Sequence, residues 1–82
     1  MNAEDIQNLI RAGLACDYIT LEGDGRHWYA TIVSAEFEGK RLIGRHQQVY
    51  ATLGSKMATD EVHALSMKTY TPAEWAAAQA KA

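Results

Sequence analysis

The chain has 82 residues and a formal net charge of −2, which sets it as one small globular domain without room for two cores. Its single cysteine, Cys16, excludes an internal disulfide, and with no long apolar run or charged-then-apolar leader the expectation is a cytoplasmic protein without a membrane span. The slight negative charge excludes a strong sequence-independent attraction to nucleic acid, which rests on many Lys and Arg contacts to phosphate.

Asn2 is placed to cap a first helix, with Glu4 and Asp5 in the opening turn where the helix dipole favours acids. Ile6, Leu9, Ile10 and Leu14 recur at helical spacing, and Gly13 marks the end. Tyr18–Glu22 alternates as a strand, with Ile19 and Leu21 on one side and Tyr18, Thr20 and Glu22 on the other. Gly23-Asp24-Gly25 then predicts a hairpin, and His27–Ser34 the antiparallel return strand, with Trp28, Ala30 and Ile32 on one face and His27, Tyr29, Thr31 and Val33 on the other.

Ser34–Gly39 is a polar turn whose Phe37 is expected to anchor the connection in the core. From about Lys40 to Leu53 the period becomes helical, through Leu42, Ile43, His46, Val49, Tyr50 and Leu53, with Gly54 as the C-cap. A shorter helical turn is expected over Lys56–Asp60. Residues 62–70 alternate again as a strand opened by His63. Thr71-Pro72-Ala73-Glu74 follows as a capping box with proline at the first helical position. The connection over Ala35–Glu61 is too long for a hairpin and holds a helix, so it favours a crossover that lays the third strand parallel to the second. The expected fold is therefore α+β, in the order α-β-β-α-(α)-β-α, with a mixed three-stranded sheet. One domain is expected over 1–82, with its core over about 4–76 and a frayed, alanine-rich tail at 77–82.

That topology bears on the histidines. His27 and His63 each open one of two parallel neighbouring strands, and such strands lie ~4.8 Å apart. Two readings stand: half of a metal site completed by a partner, or two solvated strand-end histidines. Strict alternation groups His27 with Tyr29 and Thr31 but His63 with Leu65 and Met67, so the first reading needs the glycine-rich loop before His27 to turn its ring. A second candidate is the basic stretch Lys40, Arg41, Arg45 and His46 at a helix start, where amides and cations suit phosphate; the competing reading is a solvated helix face. No Gly-x-x-Gly clamp accompanies it. Cys16 follows an apolar helix end and is expected to be buried and inert. No catalytic constellation can be written, and the expectation is a non-enzymatic protein.

Four stretches carry a resemblance that spacing alone does not supply: Gly-Asp-Gly-Arg-His-Trp (23–28), Val-Ser-Ala-Glu-Phe-Glu-Gly-Lys (33–40), Arg-His-Gln-Gln-Val-Tyr (45–50) and Val-His-Ala-Leu-Ser-Met-Lys-Thr-Tyr-Thr-Pro-Ala-Glu-Trp (62–75). Together they resemble the BolA family over roughly residues 4–76, and the short hairpin with the Gln-Gln-Val-Tyr run is most similar to its IbaG branch. The resemblance implies a class II KH-like fold without the Gly-x-x-Gly clamp. It also implies pairing with a monothiol (Cys-Gly-Phe-Ser) glutaredoxin and a shared [2Fe–2S] cluster. In such a pair the glutaredoxin and glutathione supply thiolates, and the BolA-type chain supplies His63 and, from its hairpin loop, His27. Alone, such a chain is expected to be a monomer or a weak homodimer. Some members are linked to DNA binding and the transcription of stress and cell-shape genes through the segment matching 40–50. Here Arg45-His46 fits that pattern, and Gln47 stands where a further basic residue is often found.

Overall fold

The computed structural model describes residues 2–56 and 64–81. Within them run α1 (Ala3–Gly13), β1 (Tyr18–Gly23), β2 (Trp28–Val33), a 3-10 turn (Ala35–Phe37), α2 (Leu42–Leu53), β3 (Leu65–Tyr70) and α3 (Pro72–Ala80). The sheet order is β1-β2-β3, antiparallel between the first two strands and parallel between β2 and β3. This is the α+β architecture with a mixed sheet that the crossover argument requires. Of the helical turn expected over Lys56–Asp60 only Lys56 is described. Val62 and His63 lie outside the described residues, so the described third strand begins at Leu65.

Both helix caps form as their residue types dictate. Asn2 Oδ1 accepts from the Asp5 amide at 2.8 Å, and the Asp5 carboxylate accepts from the Asn2 amide at 3.3 Å. At α3, Thr71 Oγ1 accepts from the Glu74 amide (3.1 Å), and Glu74 Oε1 accepts from the Thr71 amide (2.8 Å). Each pair satisfies amides that a helix start leaves without partners.

The core lies between one face of the sheet and the helices α1 and α2. Ile6 and Ile10 of α1, Ile19 and Leu21 of β1, Trp28, Ala30 and Ile32 of β2, Val49 and Leu53 of α2, and Leu65 of β3 form a single buried cluster. Full burial of each large aliphatic side chain contributes ~1.5–3 kcal/mol. Phe37 is completely buried in the same cluster, as its position in the polar turn implied. The turn is tied down by Ser34, whose hydroxyl donates to the Ala15 carbonyl at 2.6 Å, and by Glu36, whose carboxylate accepts from the Ala15 amide at 2.7 Å.

On the other sheet face α3 covers one end. Tyr18, Val33 and Tyr70 pair across the three strands in one row, and Trp75 of α3 sits over it, 5.2 Å from the Tyr18 ring and 5.1 Å from the Tyr70 ring. Val33 is consequently buried although it alternates with the core residues.

Two expectations are corrected. β2 starts at Trp28, which leaves His27 in the hairpin loop rather than at a strand end. α2 starts at Leu42, and its inward stripe is Val49 and Leu53; Leu42 and Ile43 are 62% and 65% exposed. Beneath the first turn of α2 the interior is occupied by Phe37 and by Arg45, whose guanidinium lies 5.8 Å from the Phe37 ring. Leu42 and Ile43 therefore have no core position to enter.

Candidate functional site

The hairpin loop is a built structure. Asp24 Oδ1 accepts from the amides of Arg26 (2.8 Å) and His27 (3.0 Å), and the Asp24 amide reaches the His27 carbonyl at 3.3 Å. A short acidic side chain bonding its own backbone two and three residues on is the chemistry that aspartate brings to turns. These hydrogen bonds, that from His27 foremost, hold the Asp24 carboxyl below its ordinary pKa. Gly23 completes the device: a Cβ there would collide with the His27 carbonyl and the Trp28 ring. The hairpin can close in this form only with glycine before the aspartate.

The outcome is an exposed His27 on a fixed backbone, directly before the buried Trp28. Its imidazole has no hydrogen-bond partner among the described residues. The Trp28 amide donates to the carbonyl of Ala64 at 3.0 Å. The chain position following His63 is thus bonded to the chain position following His27. His63 itself lies outside the described residues, and among those described no three His, Cys, Asp or Glu side chains gather as a metal site.

The basic stretch divides into different roles. Arg45 is 12% exposed at its side chain and spends its donors inside the molecule. Nε donates to the Lys40 carbonyl (3.1 Å), Nη1 to the Thr69 carbonyl (3.3 Å), and Nη1 and Nη2 to the two Glu74 oxygens (2.7 and 3.2 Å). Lys40 Nζ donates to Gln48 Oε1 at 2.6 Å. His46 is half-buried, with Nε2 enclosed and unpaired among the described residues. Of the four residues singled out for phosphate, Arg41 at the α2 N-cap and the Lys40 ammonium remain at the surface, without a capping side chain between them and the helix amides.

Sequence reasoning missed the Arg45–Glu74 link, because both residues already had local explanations. A charge on the inner side of α2 was the available signal. Cys16 is half-buried, its Sγ donating to the Leu14 carbonyl at 3.3 Å, and burial pushes the thiol pKa up. That environment suits an inert thiol. The open part of the second sheet face forms a shallow groove of about 360 Å³ lined by Thr20, Glu22, Tyr29, Thr31, Ser66 and Lys68. No helix among the described residues is long and apolar enough to cross a membrane.

Comparison with known proteins gives a consistent result. The family model for BolA-like protein matches residues 11–74. The acid stress protein IbaG of Escherichia coli (strain K12) is 36% identical over 76 residues, which cover 93% of this chain and 90% of that protein. The structure of a bolA protein homologue from Coxiella burnetii superimposes with a TM-score of 0.76 at 42% identity, over 93% of this chain and 97% of that one. The DNA-binding transcriptional regulator BolA of E. coli K12 is 42% identical over 53 residues, 65% of this chain and half of that protein.

Proposed function

This chain belongs to the BolA family, and from that premise we propose that it is a non-enzymatic adaptor pairing with a monothiol glutaredoxin and contributing His27 and His63 to a shared [2Fe–2S] cluster. The observation that carries the reading is the hairpin loop. It presents the His27 imidazole to solvent on a backbone held by Asp24 and Gly23, beside the strand that follows His63. An exposed imidazole without an internal partner fits the donor set such a cluster needs.

In this reading the chain's own residues do three things. Asp24 keeps the loop closed, Trp28 anchors it in the core, and the two imidazoles offer neutral nitrogen while the glutaredoxin and glutathione offer thiolates. Imidazole ligation would raise the potential of such a cluster above that of all-thiolate ligation. Mixing the protein with a monothiol glutaredoxin, glutathione, iron and sulfide under anaerobic conditions tests it. The expected product is a heterodimer whose visible absorption and dichroism change with His63→Ala and with His27→Ala. Spectra identical to the parent for both variants would remove this chain from the ligand set.

One relative's name, a DNA-binding transcriptional regulator, favours a second reading through the start of α2. With Arg45 bound to Glu74, Lys40 and Arg41 are left to meet phosphate. Two such contacts give a slope of about −2 in log affinity against log salt on duplex DNA. Fluorescence anisotropy at several salt concentrations should show that slope fall by about one with Arg41→Ala; no binding at low salt would dismiss the reading.

A further inference from the structure

The outer face of α2 lacks the charges that a solvated helix normally carries. At 3.6 residues per turn, Gly44, Gln47 and Ala51 fall on the side opposite the buried Val49 and Leu53, with Ile43 and Tyr50 along one flank and Gln48 along the other. Gln47 and Gln48 are the amide side chains among them, and the helix's only Lys or Arg, Arg45, is turned inward onto Glu74. Ile43 is 65% exposed and Tyr50 36% exposed. A helix that faces water along one side ordinarily fills that side with charged or polar residues; this one presents an apolar rail, Ile43 and Tyr50, beside a rail of small residues, Gly44 and Ala51.

Gly44 adds an independent observation. Glycine weakens a helix relative to alanine, yet here a Cβ would meet nothing nearer than Lys40 Cβ at 4.0 Å. Nothing among the described residues asks for glycine at this position. A second backbone approaching from outside would.

We infer that this face is a self-association surface on which α2 packs antiparallel against α2 of a second copy, around a two-fold axis at Gln47. The helix is self-complementary in that arrangement. With the axis at Gln47, Ile43 lies beside Tyr50 of the second copy, and Gly44 beside Ala51 of the second copy. The large pair fills the contact, the small pair lets the backbones close, and the two Gln47 amides meet at the centre. Charge agrees: Lys40 and Arg41 at the start of one helix come next to the carbonyl end of the other, whose own last turn holds no basic residue, and cations stabilise that end. A two-fold contact of this kind closes and does not propagate. One helix per copy buries less than a standard interface, so the dimer is weak. The inference involves neither His27 nor His63 and stands apart from the cluster reading.

Sedimentation equilibrium on the full chain from about 20 µM to 1 mM tests it, with circular dichroism to verify folding. The parent should show a reversible monomer–dimer equilibrium. Ile43→Glu and Tyr50→Lys should each weaken the dimer at least about tenfold. The double variant, which sets opposite charges beside each other across the two-fold, should recover at least about threefold over either single change. A parent that stays monomeric to 1 mM, a dimer indifferent to both single changes, or a double variant no better than the singles would overturn the proposal.

Discussion

At Glu74 a single carboxylate closes the cap of α3 through the Thr71 amide and holds both guanidinium arms of Arg45. The Arg45 hydrogen bonds come first among the causes that hold its pKa at about 2, against an ordinary 4.5. A folded-state pKa below the unfolded one means stability that is fully present above about 4.5 and lost as pH falls toward 2. Denaturant titrations across that window should therefore show the midpoint falling with acid, and Glu74→Gln should flatten the fall while lowering the midpoint at neutral pH. Half of the Glu74 side chain is exposed, so water screens the pair and the slope is the quantity to read. Asp24 obeys the same sign, its carboxyl being lowered by the loop amides. Asp24→Ala should lower global stability slightly at neutral pH and loosen the loop, seen as faster amide exchange at Arg26 and His27 and an altered cluster spectrum with a glutaredoxin.

At the scale of elements, the caps and the hairpin follow from short-range chemistry. Thr71→Ala removes the acceptor for the Glu74 amide and should cost about 1 kcal/mol in equilibrium unfolding. Gly23→Ala forces a side chain into the His27 carbonyl and the Trp28 ring; it should lower the melting temperature and move the His27 resonances. α2 is the element whose reading changed most. Its apolar positions were legible, but the face they occupy was not. Leu42 and Ile43 continue the helical period without belonging to its buried side. In the fold both are exposed, while Phe37 of the preceding turn and the inward guanidinium of Arg45 take the interior.

At the scale of the whole molecule, one buried ring joins the connection to both layers. Phe37 is completely buried, and Phe37→Ala should cost about 3–5 kcal/mol, a large share of what a domain this small possesses. Its effect should be read as loss of cooperative thermal unfolding. The parallel β2–β3 pairing was legible because a long helical connection between strands leaves few other topologies. The row Tyr18, Val33 and Tyr70 beneath Trp75 was not, since alternation places Val33 on the face away from the main core and says nothing of a helix folding back over that end.

What the residues alone determined here is whatever is settled within a few positions along the chain: helix and strand periods, the Asn2 cap, the Thr71–Glu74 capping box, the aspartate-centred hairpin, and Phe37 as an anchor. Hydrogen bonds spanning two or three residues need no distant partner to form. What only the tertiary structure decided depends on groups far apart in sequence. Arg45 and Glu74 are 29 positions apart, and their meeting turns a candidate phosphate ligand into a structural link. His27 likewise became a loop residue because the strand could begin only where Trp28 meets the carbonyl of Ala64, a bond that neither segment announces by itself.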